Sequence, residues 1–298
     1  MIMVDESLIP QIKESVVGIG LRRVGEELPL QVHGTGFIVD SQGFVITAEH
    51  VVRHAEQVRD ELNTNGDNVE LVAILLSHDS EIPILTISPI KVRKDLIVMI
   101  DDLKEYIPQE HDIMVCRIYG KWSLPKINLK KPTRLKIYDE VFLCGYPRGD
   151  GTLNPKDVKH GMRLSPMIQT GRISSLMPSD NTIRPIGIQT DIIGTGGSSG
   201  SPIINANDGE VIGIAQNVFP STVVDKTLNP IGTSNMGLTW GVTTYFLYDA
   251  IYKIIEAMKK ITDDMGNSLV EKGHVIKLDF KAGEGSFPDL PTSKSNEN

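Results

Sequence analysis

The stretch Gly34-Thr35-Gly36-Phe37-Ile38-Val39-Asp40-Ser41-Gln42-Gly43-Phe44-Val45-Ile46-Thr47-Ala48-Glu49-His50-Val51-Val52 decides how the rest of the chain is read. Two apolar, β-branched runs, 36–40 and 44–47, flank Ser41-Gln42-Gly43, a composition and spacing that predict a β-hairpin with a short turn. Working outward, short β-rich runs recur at Val69–Leu76, Ile113–Ile118, Val141–Cys144, Ile168–Ile173, Ile186–Thr190, Ile203–Asn205 and Val211–Ala215. Asp208-Gly209 stands between the last two as a turn signal. Many short strands from Val16 to about Ile214, with no helices alternating between them, predict an all-β sandwich or barrels rather than a parallel α/β sheet.

One helix is convincing, at residues 244–260, where Leu247, Ala250, Ile251, Ile254, Ile255 and Met258 recur at helical spacing. Its apolar face is expected to pack on the β core. Beyond Ile261 the chain is polar, and from Ala282 its Gly, Ser, Pro and Asn content predicts disorder. The alternation Ile276, Leu278, Phe280 is the one place there for an added strand. The stretch Glu56–Glu110 mixes strand-like and helix-like pieces.

The chain has 298 residues, of which 40% are hydrophobic and 23% charged, ordinary values for a globular protein. Its net charge of -8 provides no positive field for nucleic acid or an anionic membrane, so neither partner is expected. No apolar run approaches the roughly 18 residues that span a bilayer. The start, Met1-Ile2-Met3-Val4-Asp5-Glu6, has neither a basic nor a continuous apolar region and reads as no secretory signal. With only Cys116 and Cys144, the expected compartment is the reducing cytoplasm.

Three local patterns carry chemistry, in the order His, Asp, Ser. They are Thr47-Ala48-Glu49-His50-Val51-Val52, Asp112-Ile113-Met114-Val115 and Gly197-Ser198-Ser199-Gly200-Ser201-Pro202. A serine hydroxyl is a weak nucleophile near neutral pH unless a base takes its proton, and imidazole suits that task. His50 is the candidate base, and a carboxylate such as Asp112 would fix its tautomer and stabilise the imidazolium. Glycines beside the serine let the backbone N–H groups of Gly197 and Ser199 converge where an oxyanion forms.

Each assignment has a rival. Asp95 also opens a strand-like run, Asp95-Leu96-Ile97-Val98, while Leu124-Pro125, Leu129 and Leu135 downstream favour Asp112. Ser198 fits G-x-S-x-G as well, but Pro202 cuts the helix a nucleophile elbow requires, and only His274 follows late in the chain. A bland glycine-rich loop is the larger alternative there. His50 and His54, four residues apart, would face one way on a helix as metal ligands, yet HVVRH lacks the glutamate of HExxH. No metal and no cofactor are expected.

Taken in order, these motifs resemble the trypsin-like serine proteases of the chymotrypsin fold, in the style of the high-temperature-requirement (HtrA) type. The resemblance runs from about Val16 to Lys260. It also includes Asp139-Glu140-Val141-Phe142-Leu143-Cys144-Gly145-Tyr146-Pro147, Gln189-Thr190-Asp191 and Gly209-Glu210-Val211-Ile212-Gly213-Ile214. It implies a chymotrypsin-like double β-barrel of two six-stranded barrels with the triad His50, Asp112, Ser199 between them and a C-terminal α-helix. The peptidase domain would occupy 1–262, with barrels at about 12–122 and 123–243, followed by a polar tail at 263–298. The implied activity is serine endopeptidase chemistry on a protein or peptide substrate, through an acyl-enzyme. The alternative from another class is a catalytically silent protease-fold binding module, and a weaker one is an esterase-like hydrolase.

The resemblance also implies a pocket with Ile193 near its base and walls from Gln216, Asn217, Val218 and Gly237. Lacking a carboxylate at its base, such a pocket would take small or medium uncharged side chains. There are departures from the family pattern. Ser198 stands where the family usually has aspartate or asparagine, Ser201 replaces the second glycine, and the short tail leaves no PDZ-like module. The Gly194-Thr195-Gly196-Gly197 run, with no aspartate at Ser198 to pin it, predicts a loop ordered by substrate or by a regulatory protein partner.

Overall fold

A strand leaves unpaired N–H and C=O groups along both edges, and a sheet that closes on itself leaves none. This chain closes twice. The computed structural model describes residues 6–26, 29–75, 84–89, 112–118, 123–147, 165–183, 185–224, 230–245, 248, 251–252, 255–256 and 259. Within them, β1 (Val16–Arg23), β2 (Gln31–Asp40), β3 (Phe44–Ala48), β4 (Val69–Leu75), β5 (Ile84–Pro89) and β6 (Ile113–Ile118) form a closed barrel in the order β1-β2-β3-β6-β5-β4. A second closed barrel, ordered β10-β11-β12-β9-β8-β7, uses β7 (Glu140–Gly145), β8 (Met167–Met177), β9 (Gly187–Thr190), β10 (Pro202–Asn205), β11 (Val211–Val224) and β12 (Pro230–Thr243). The all-β, double-barrel expectation holds.

The quoted hairpin is β2–β3, with Phe37 opposite Ile46 and Ile38 opposite Val45. At its turn the Asp40 carbonyl accepts the Gly43 N–H and the Asp40 carboxylate accepts the Gln42 N–H. Side-chain alternation then sorts the apolar residues. Val17, Ile19, Leu21, Ile38, Val45, Leu71, Ala73 and Cys116 gather in one core of the first barrel. Val141, Leu143, Ile173, Ile188, Ile203 and Ile212 do the same in the second. The opposite faces meet in a third cluster, where Phe37, Phe44 and Ile46 join Phe142, Cys144 and Ile204. All described residues between 244 and 259 are helical, and Ile251 and Ile255 of that segment complete this third cluster.

Several elements differ from the sequence reading. A second long helix, α2 (Glu49–Thr64), follows the hairpin directly, after the short α1 (Ile9–Ser15). Its buried positions are only Val51, Val52 and Ala55, and a β-branched pair at its start reads locally as strand. Strand β11 continues past Ala215 to Val224 and pairs with β12, whose polar, glycine-containing sequence carried no strand signal. Asp95, His274, the 276–280 alternation and the rest of the tail lie outside the described residues.

Candidate active site

Helix α2 begins at the end of β3 with Ala48 as its N-cap, a residue with no side-chain oxygen to satisfy the free N–H groups of the first turn. Asp112 takes that place. The β3–β6 register sets Ala48 opposite Ile113, so the residue before Ile113 lies against the start of α2. The Asp112 carbonyl accepts the Glu49 N–H at 3.2 Å, and Oδ1 accepts the His50 N–H at 2.8 Å. Oδ2 meets His50 Nδ1 at 2.5 Å. One carboxylate thus caps the helix, complements its positive end and holds the imidazole by one nitrogen. Asp112 does this from the left-handed region, at φ +50°, which aspartate tolerates better than most residues.

The serine comes from the second barrel, on the turn entering β10. The Gly200 N–H donates to the Ala215 carbonyl and the Ala215 N–H to the Ser201 carbonyl. These bonds clip the turn to β11. The Ser199 hydroxyl donates to the Gln216 carbonyl at 2.8 Å, rather than to the His50 ring. Gln216, almost fully buried, reaches back across the barrels, and its Nε2 donates to the Asp112 carbonyl at 3.1 Å. A single β11 residue therefore touches both the serine and the aspartate.

Gly197 has φ +88°, a conformation that costs glycine little and a side-chain-bearing residue more. Its carbonyl accepts the Thr35 hydroxyl at 2.8 Å, and the Ser199 carbonyl accepts the Thr35 N–H at 2.9 Å. Buried Ser198 closes the turn internally, its N–H donating to the Thr195 carbonyl and its hydroxyl accepting the Thr195 N–H. Among the described residues, the N–H groups of Gly197 and Ser199 donate to no protein acceptor. Thr35 and the bridging role of Gln216 were missed from sequence, because each acts on residues more than a hundred positions away and leaves no local pattern.

The strands that carry the expected pocket residues also come together. Thr239 pairs with Val218 on one side and Thr190 on the other, and its hydroxyl donates to the Ile192 carbonyl. This brings the Ile192–Ile193 segment beside the strands that carry Gln216, Asn217, Val218 and Gly237. Ile193 is 56% exposed, with its carbonyl held by Gln169. The nearest acid, Asp191, turns its carboxylate to the Arg172 N–H at 2.6 Å. His54 packs edge-on against His33, ring centroids 5.1 Å apart. Among the described residues no group of three or more His, Cys, Asp or Glu is arranged to hold a metal ion.

Two barrels with a histidine and an aspartate from one facing a serine from the other define a chymotrypsin-like fold. The family model of the trypsin-like peptidase domain matches residues 34–214, and the chain belongs to that family. Probable periplasmic serine endoproteases, DegP-like, from Ectopseudomonas mendocina and Hahella chejuensis are 28% and 27% identical over 195 and 215 residues. These matches cover 65% and 72% of this chain and 31% and 36% of those proteins. The putative protease Do-like 14 of Arabidopsis thaliana is 25% identical, covering 86% of this chain and 49% of its own. The chain thus spans less than half the length of these relatives. Among solved structures, the apo MamO protease domain from Magnetospirillum magneticum matches with a TM-score of 0.51 at 16% identity, covering 82% of this chain and 98% of that one.

These relatives correct the cytoplasmic expectation, since the DegP-like proteins are named periplasmic. The two cysteines were a poor guide to compartment. Cys116 on β6 and Cys144 on β7 are both free and buried in strands, so they report core packing. Among the described residues no helix is long and apolar enough to cross a membrane.

Proposed function

We propose that the chain is a serine endopeptidase that cuts a protein or peptide substrate through an acyl-enzyme. The observation that carries this reading is the Asp112–His50 pair at 2.5 Å, linked through Gln216 to the Ser199 hydroxyl. His50, held by Nδ1, offers its other nitrogen as the base that takes the Ser199 proton. The alkoxide attacks the scissile carbonyl, and the open N–H groups of Gly197 and Ser199 receive the oxyanion. Imidazolium then protonates the leaving amine, and water repeats the sequence to release the acid.

At rest the nucleophile donates to the Gln216 carbonyl. Rotation about its Cα–Cβ bond toward His50 is the step that bound substrate, or a regulatory protein partner, would favour. The acyl pocket is read as uncharged, because the family resemblance puts Ile193 near its base and Asp191 is engaged by the Arg172 backbone N–H. An extracytoplasmic setting like that named for the DegP-like relatives fits this chemistry.

Labelling with a fluorophosphonate probe, with and without added peptide, tests the reading. Wild type and Ser198→Ala are expected to label and to cleave peptide, whereas Ser199→Ala is expected to do neither. Absence of labelling in wild type, with the barrels folded and peptide present, would favour a silent binding module.

A further inference from the structure

The oxyanion loop has an anchor that its own sequence does not supply. Thr35, on β2 of the first barrel, is fully buried, and its hydroxyl and its N–H both donate into the oxyanion loop. Its hydroxyl donates to the Gly197 carbonyl at 2.8 Å and accepts the Tyr146 N–H at 2.9 Å. Its N–H donates to the Ser199 carbonyl at 2.9 Å, and its carbonyl accepts the Thr47 hydroxyl at 2.6 Å. The space beside its hydroxyl leaves no room for a side chain at Gly145. A Cβ on Gly145 would come to 2.9 Å from the Thr35 hydroxyl oxygen and 2.0 Å from that of Ser201. Ser198, by contrast, bonds only within its own turn among the described residues.

We propose that Thr35 is a positioning residue that sets the oxyanion hole from the opposite barrel, in the place of an aspartate before the nucleophile. A glycine peptide turns over at little cost, so Gly197 alone does not hold its N–H in one direction. The Thr35 hydroxyl on the Gly197 carbonyl anchors the peptide plane that follows Gly197, and the plane carrying the Gly197 N–H leaves that anchored plane at φ +88°. The Thr35 N–H on the Ser199 carbonyl anchors the plane that follows Ser199, so the 198–199 peptide carrying the second donor is held between two planes that Thr35 anchors. Thr35 touches neither substrate nor the reacting atoms and acts through the loop. The inference rests on the serine peptidase reading.

The experiment compares Thr35→Val, which keeps the branched shape and removes the hydroxyl, with Thr35→Ser, which keeps the hydroxyl. For Thr35→Val, kcat is expected to fall by about 10²–10³, as on loss of one oxyanion donor, with KM little changed. Affinity for a peptide boronate, which forms a tetrahedral adduct, should fall in parallel, while a non-cleavable substrate analogue binds as before. Thr35→Ser should restore most of kcat and of boronate affinity. If Thr35→Val does not fold, Thr35→Ala against Thr35→Ser isolates the same hydroxyl. The proposal is overturned if a folded hydroxyl-free variant keeps kcat and boronate affinity within tenfold of wild type, or if KM alone rises. A wild type that the fluorophosphonate fails to label would instead sink the underlying peptidase reading.

Discussion

Replacing Asp112 separates the two tasks its carboxylate performs. In Asp112→Asn one amide oxygen still accepts the His50 N–H at the helix start, and asparagine, like aspartate, tolerates φ +50°. The amide nitrogen cannot accept from His50 Nδ1, so the ring loses its tautomer and the imidazolium its counter-charge. Turnover is expected to drop by about 10⁴, while stability falls by no more than about 1 kcal/mol, the helix-charge contribution. Asp112→Ala loses the cap, worth about 1 kcal/mol, and must hold an alanine in the left-handed region, at a cost of about 1–2 kcal/mol. Its Tm should therefore fall by roughly 4–12 °C for a chain of this size, with turnover as low as in the asparagine variant. Steady-state peptide cleavage and thermal melting on the same samples check both. Turnover within tenfold of wild type in Asp112→Asn, or an unchanged Tm in Asp112→Ala, would refute the double role.

Three further outcomes follow from the geometry. Burial, with a smaller contribution from Glu56 at Cys116, pushes both thiols up from 9.0 to about 12, so iodoacetamide should modify neither cysteine in the native protein and both after denaturation, read by mass spectrometry. At Asp40, burial raises the carboxyl but the Lys259 and Gln42 hydrogen bonds outweigh it, and the net is a value below 3.8. The stabilisation from this pair, less than about 1 kcal/mol for partly exposed groups, is thus complete above 3.8 and lost as pH falls through the lowered value. Wild type and Asp40→Asn should differ in Tm at neutral pH and converge in acid. For specificity, a positional-scanning peptide library should give cleavage after Ala, Val, Thr or Leu, and dominant cleavage after Lys or Arg would show that the Ile193 pocket is wrongly assigned.

The fold was legible where a strand's signal is local. The hairpin 36–47 and the runs at 113–118 and 203–205 carry β-branched residues and turn signals within a few positions, and the barrel strands lie on them. Helix α2 was not legible, because one narrow buried stripe beside a large polar face gives little contrast and Val51-Val52 mimics a strand. Extended β12 was hidden because its partner, β11, stabilises it through backbone bonds that need no apolar side chains. At the site, the residue types of His50, Asp112 and Ser199 point from the sequence to the chemistry proposed for them. Thr35 and Gln216 belong to types found everywhere, and only the docking of the barrels gives them their partners.

That docking also sets when the site comes into being. Each barrel closes within its own half of the chain, the first where Val17 meets Leu75 and the second where Leu143 meets Ile203. The bonds that assemble the site reach much further, 162 residues from Thr35 to Gly197 and 104 from Gln216 to Asp112. Contacts of such separation carry a larger loop-closure cost than those within a barrel and fall late in folding. A chain emerging from the ribosome, or one with either half unravelled, holds its serine and its histidine on unconnected pieces. On the peptidase reading proposed above, nascent and damaged copies would be harmless to their neighbours, and cutting ability would arrive only with the last step of maturation.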